Sequence, residues 1–234
     1  MMCSVRIIAC RPILALRPVW WLAIVFCLLS ACAGRKPVHP EVTAAAQSND
    51  VLALSDALEA LINARTDTPA DREYAYKIVH THEEDTAPAM FARAAVTGRF
   101  VQQRGLLGAN LIGDIERCAR RSRELDPSFR DGAATRLLGT MYVIAPSTLL
   151  THGDSEVGVE LLEGLVVTFP DTLENHLRLA EAYIALGDMV PAYPHLCLCL
   201  AHKSALVPDD QILLSRLVAN AGTPPCADSG SGTP

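Results

Sequence analysis

Gly153-Asp154-Ser155-Glu156-Val157-Gly158-Val159-Glu160-Leu161-Leu162-Glu163-Gly164-Leu165-Val166-Val167-Thr168-Phe169-Pro170 is the stretch whose reading decides the fold. Gly158, Leu161, Leu162 and Leu165 recur at i, i+3, i+4 and i+7, an apolar stripe of helical period. Glu156, Glu160 and Glu163 line the opposite face. Asp154 or Ser155 caps the start, and Pro170 forbids further helix. The dipeptide Gly153-Asp154 returns thirty-four residues later as Gly187-Asp188. A period of that length describes one helical hairpin, which buries its apolar face by stacking on its neighbours.

Working outward, Leu138-Gly139 followed by Tyr142 makes a large, small and aromatic set on the preceding helix. Leu179-Ala180 and Tyr183 repeat that set before Gly187. These residues, with Gly158, are expected to pack between helices. Ile115, Cys118, Ala119 and Ser122 form another stripe, ended by Leu125-Asp126-Pro127. Pro127 and Pro170 stand nine residues further apart than one period, and the excess falls at Ala145–His152, read as an inserted loop. Val51–Ala64, Pro69–His82 and Thr86–Gln103 read as helices. A proline deep in a helix loses a hydrogen bond, so the helix after Gly187 is expected to begin only near Pro194. Ala201 to Leu217 supplies a final helix or two. The expected fold class is all-α, with tetratricopeptide-like helical hairpin repeats over residues 51–220 and a disordered tail over 221–234.

The N-terminus reads as an address. Arg6, Arg11 and Arg17 precede the uncharged run Val19 to Leu29, and residues 1–31 hold no acid. This is the order of a secretory signal, and the run falls short of the roughly 20 apolar residues of a membrane span. Leu29-Ser30-Ala31-Cys32 resembles the lipobox of bacterial lipoproteins, in which the cysteine thiol is acylated before cleavage. Residues 1–31 are therefore expected to be a signal peptide, Cys32 the lipidation site, and residues 32–50 a flexible tether rich in small and polar residues. Acyl chains contribute about 0.8 kcal/mol per buried methylene, and two or three of them anchor a protein lastingly. Ala33 in place of aspartate resembles lipoproteins sorted to the outer membrane. The expected location is the cell envelope, lipid-anchored and facing the periplasm.

Half of the residues are apolar but 5% are aromatic, a composition that favours helix over sheet. Removing the three signal arginines from a chain of net charge −6 leaves −9, which argues against nucleic acid as the main partner. Of the eight cysteines, Cys118, Cys197, Cys199 and Cys226 lie in the body, and an oxidising periplasm permits three pairings. Cys118, Cys197 and Cys199 read as small buried apolar side chains and Cys226 as an exposed residue of the tail. His80-Thr81-His82-Glu83-Glu84-Asp85 crowds metal-ligand types together but reads as a solvated acidic loop. Arg117, Arg120, Arg121 and Arg123 read as a solvated helix face, with Glu116 and Glu124 spaced to pair with Arg120. No phosphate loop, nucleophile elbow or paired-carboxylate signature appears, so no enzyme, cofactor or metal site is expected.

Several segments carry a family likeness: Leu125-Asp126-Pro127-Ser128-Phe129, Asp131-Gly132-Ala133-Ala134-Thr135-Arg136-Leu137-Leu138-Gly139, Ala145-Pro146, Phe169-Pro170 and Asn175-His176-Leu177-Arg178-Leu179-Ala180-Glu181-Ala182-Tyr183. In order and in the mid-repeat insertion, Asp85 to Leu217 resembles the T-component (TatT-like) tetratricopeptide-repeat lipoproteins associated with TRAP transporters. Ala133 stands where that family has a second glycine. The resemblance implies a homotrimer that engages a periplasmic substrate-binding protein and offers a cleft to a hydrophobic ligand. Arg136, His176 and Arg178 occupy first-helix positions that line the concave surface in such repeats, and are the candidate partner or ligand contacts. The alternative is a general envelope scaffold holding a peptide or assembly partner in that groove. Mass spectrometry of the mature protein should find Cys32 acylated at the N-terminus, and Cys32→Ser should leave unprocessed precursor; a processed, unacylated chain would refute the lipobox.

Overall fold

Polar side chains and prolines partition the chain before packing acts on it. Asp50 accepts from the backbone N–H of Leu52 and Ala53, Thr86 from Ala89 and Asp154 from Val157, taking up donors left over at helix starts. Thr68 and Asp71 cap reciprocally. The computed structural model describes residues 37–226, which form ten α-helices and three short 3-10 turns, with no strand among the described residues. The helices are α1 (Pro40–Gln47), α2 (Val51–Ala64), α3 (Pro69–Val79), α4 (Ala87–Arg104), α5 (Ile112–Leu125), α6 (Ala133–Ile144), α7 (Ser155–Thr168), α8 (Leu173–Leu186), α9 (Met189–Ala201) and α10 (Pro208–Ala221). The signal segment and Cys32 lie outside the described residues.

Consecutive helices pack as hairpins, most extensively α4 on α5, α6 on α7 and α8 on α9. The even-numbered helices also pack on one another in sequence, α2 to α4, α6, α8 and α10, and α10 returns to touch α2. This makes two layers, with α2, α4, α6, α8 and α10 forming the shared one. Four apolar clusters fill the seams. Leu54, Leu58, Val79 and Val96 join α2 to α4; Cys118, Leu138 and Tyr142 join α5 to α6; Leu162 and Leu179 join α7 to α8; Leu177, Leu196 and Leu214 join α8 to α10. Among the described residues no helix is long and apolar enough to cross a membrane.

The α6–α7 seam depends on two glycines. A Cβ at Gly139 would lie 2.7 Å from Leu162 Cγ and 2.9 Å from the Gly158 carbonyl oxygen, and one at Gly158 would lie 2.8 Å from the Gly139 carbonyl oxygen. The two backbones thus meet with nothing between them. Tyr142 lies flat on Gly153, where a Cβ would come within 2.3 Å of its ring. Gly153 is therefore a packing requirement, whereas Gly187, with nothing within 4 Å of an added Cβ, serves its φ of +87° at the end of α8.

Three expectations need correction. Residues 40–47 are helix α1 instead of tether: Pro40 opens it, Val42 is fully buried, and His39 is bonded to Asp71. Composition alone did not reveal that one valine anchors this alanine-rich segment. Pro194 sits inside α9, because the burial of Ala192, Leu196 and Cys199 outweighs the one lost backbone bond. The start of the expected disordered tail belongs to the fold: Cys226 forms a disulfide with Cys197 across twenty-nine residues and Pro224 is buried beside it, while residues 227–234 lie outside the described residues. Cys197 is thus no inert core thiol; Cys118 and Cys199 are the buried free cysteines.

The two glycines of α7 should separate packing from propensity. Gly158→Ala should cost about 1–3 kcal/mol in urea unfolding through overpacking. Gly164→Ala, with nothing within 4 Å of its added methyl, should leave stability unchanged or raise it.

Candidate functional site

Helix α6 packs directly on α8, which brings Arg136 and Arg178 to one region. Arg136 Nη1 donates to Asn175 Oδ1 at 2.7 Å, and the fully buried Asn175 donates onward to the Asp131 carbonyl oxygen at 3.3 Å. That carbonyl belongs to a left-handed turn in which Arg130, Asp131 and Gly132 all have positive φ. Asn175, and the bidentate pair of Arg130 with Asp56 at 2.7 Å, hold this unfavourable backbone in place. Ala133 begins α6.

Arg178 donates to Glu181 Oε2 at 2.9 Å and to Asp210 Oδ1 at 2.7 Å, linking α8 to α10. Burial pushes Asp210 above the usual carboxylate range against the pull of Arg178. Burial likewise pulls Arg136 below its ordinary value; Glu174 and Asp210 oppose this and the charge of Arg178 adds to it. Arg136 directs one of its five N–H donors to a neutral amide. It is the guanidinium of this region left without a carboxylate of its own.

His176 does not join them. Residues two apart on a helix point to different faces, and His176 turns toward α9. Its Nε2 donates to the Pro170 carbonyl oxygen at 2.8 Å and its Nδ1 lies 2.9 Å from His195 Nδ1. Burial lowers the pKa of His195, with the charge of His176 acting the same way and Glu163 opposing. Tyr183 stacks beside His195 and donates to Glu163 Oε1 at 2.5 Å; burial and that bond push its phenol up to about 12. Leu138, Leu179 and Ala180 pack between helices.

No protein-family model matches this chain, and no curated protein is significantly similar to it.

Two connections escaped the sequence. Arg99 on α4 donates to both carboxylate oxygens of Glu59 on α2 at 2.7 Å and to Asp209 of α10 at 3.2 Å. Burial opposes its charge, but Glu59 and Asp209 hold it above its ordinary value. Its partners lie 40 and 110 residues away, beyond any local pattern. Glu116, read as part of a solvated face pairing with Arg120, is 1% exposed at its side chain. It accepts from Tyr142 Oη at 3.0 Å and from the backbone N–H of Thr151 and His152 at 2.9 and 2.8 Å. Its place beside Ile115, one turn before Ala119, was the available signal.

The other charged clusters resolve into pairs. Arg117 donates to Asp114, and Arg121 to Asp85, with Glu124 3.6 Å from Arg121 instead of pairing with Arg120. The residues of the His80–Asp85 segment diverge: His80 bonds Thr97, His82 bonds Asn49, and Asp85 meets Arg121. Two cavities open away from Arg136 and Arg178. One of about 480 Å³ lies between α5 and the inserted loop, lined by Asp85, Met90, Arg120 and His152. The other, about 590 Å³, runs between the end of α5 and α7, past Arg123, Leu161 and Phe169.

Burial penalises the Glu116 carboxylate, yet its hydrogen bonds to Thr151, Tyr142 and His152 hold its pKa below the ordinary 4.5. A lowered folded-state value contributes stability that is fully present above pH 4.5 and is lost as pH falls from there through the lower folded-state value. In acid titrations followed by circular dichroism, Glu116→Gln should show a shallower loss of stability than the wild type. Glu116→Leu should cost about 2–4 kcal/mol at neutral pH, because it strands a phenol and two backbone donors.

Proposed function

We propose that this chain is a lipid-anchored binding protein of the bacterial cell envelope, built from tetratricopeptide-like hairpins. In this reading it works like the TRAP-transporter T components, engaging a periplasmic substrate-binding protein rather than catalysing a reaction. The observation that carries the reading is the run of mutually packed even-numbered helices, which presents Arg136, with donors to spare, beside the ion pairs of Arg178. An acidic surface loop of a protein partner suits that chemistry better than the hydrophobic ligand the resemblance implies. The Cys197–Cys226 disulfide supports an oxidising compartment.

The alternative scaffold role uses the same face with a peptide or assembly partner. The reading predicts that the purified mature protein retains a substrate-binding protein from its own organism in a pull-down, and sediments as a trimer. Arg136→Gln, which keeps an amide donor toward Asn175 and places no carboxylate beside Glu174 and Asp210, should weaken that retention tenfold or more with only a small fall in thermal stability. Retention of envelope-assembly proteins alone would favour the scaffold. A monomer indifferent to every substrate-binding protein would overturn the transporter reading.

A further inference from the structure

The 3-10 connection Gly105–Leu111 between α4 and α5 carries Leu106 at 94% and Leu107 at 77% exposure. Elsewhere among the described residues, exposed large apolar side chains stand singly in sequence. Gly105, at φ +55°, turns the chain out of α4, and the buried Gly108 brings it back against Val101. The two leucines therefore form the tip of a closed turn.

That tip stands at the end where the chain enters the domain. Helices α3 and α4 run antiparallel: Arg72 Nη1 donates to the Arg99 carbonyl oxygen at 3.1 Å, whereas at the far end of α3 Arg93 Nε donates to the Val79 carbonyl oxygen at 3.1 Å. The first turn of α3 thus lies beside the C-terminal third of α4, the part that leads into Gly105. The same first turn holds the entering chain, because Asp71 accepts from His39 N at 2.7 Å and His39 Nδ1 at 2.8 Å. Cys32 is seven residues before His39, a reach of at most about 25 Å.

The charge at this end matches an anionic surface. Arg65 and Arg104 are exposed, and neither has a carboxylate partner among the described residues; Arg104 instead sits over the Phe100 ring. The nearby acids are occupied: Asp67 by Arg72, Asp71 by His39 and Thr68, Asp209 by Arg99. Glu41 remains as an exposed carboxylate, against Arg65, Arg104 and, in sequence, Arg35 and Lys36.

We propose that Leu106 and Leu107 insert into the interface of an anionic phospholipid bilayer, flanked by Arg65 and Arg104, as a second contact that orients the domain on its membrane. This rests on acylation at Cys32, which supplies proximity; the leucine turn supplies orientation. Leucine side chains leave water for the acyl boundary while the arginines stay at headgroup level. The domain would then stand with its α3–α4 end on the lipid.

The mature chain contains no tryptophan, because Trp20 and Trp21 precede Cys32. Leu107→Trp therefore gives a single reporter in lipidated protein reconstituted into vesicles of phosphatidylethanolamine and phosphatidylglycerol. The proposal expects blue-shifted emission that bromine-labelled acyl chains quench, with less quenching when Arg65→Glu and Arg104→Glu are added. Val167→Trp, exposed at the opposite end of the hairpins, where Leu165 and Phe169 meet Gly132, should emit as in water. Leu107→Trp emission that stays water-like in acylated protein would overturn the proposal. So would a blue shift that brominated lipid leaves unquenched, since a protein surface would then cover the turn. Mass analysis of Cys32 separates these outcomes from failure of the anchor itself, which would remove the basis for both.

Discussion

A buried carboxylate holds the middle of this molecule together. Glu116 sits in the interior of α5, and its three acceptor contacts reach a phenol on α6 and two successive amides of the loop that leads to α7. Burying a charge in this way is unfavourable unless each lone pair finds a donor, so the donors must stay where they are. That requirement fixes the Tyr142 ring, and the ring in turn demands the bare backbone of Gly153. From there the register of α7 on α6 follows, down to the contact between Gly139 and Gly158. The inserted loop, which could have been an idle surface excursion, is thereby part of the core.

Outside that centre, stability is distributed along the stack. Each apolar cluster shares a helix with the next, so no single core serves the whole domain. Such stacks are weakest at their ends, and here the ends are fastened by other means. Arg99 draws α2 and α10 onto α4, and the Cys197–Cys226 disulfide pins the chain after α10 to α9. These fastenings limit how far the shared layer could spread.

Helix positions were largely legible because they depend on short-range chemistry. Val51–Ala64 follows from the cap at Asp50 and the spacing of its leucines, and Ser155–Thr168 from Asp154 and the stripe over Gly158 to Leu165. The misreadings share a cause. Pro194 breaks a local rule that tertiary burial overrides, and α1 is held by one valine and one histidine whose partners come later in the chain. Of the three candidate contacts, Arg136 and Arg178 neighbour one another, whereas His176 occupies a different face of its helix, a placement that only packing decides.

By itself, the sequence determined an all-helical body and the small residues, Gly139 and Gly158, where two helices touch. These are encoded within a few turns of helix, where spacing and residue type suffice. Only the tertiary structure decided which charges are buried, that Cys197 finds Cys226, that Arg99 joins the first and last helices of the shared layer, and that two leucines remain in water at the end where the chain enters. Each of those depends on distances between residues far apart in the chain, which packing sets and local pattern does not.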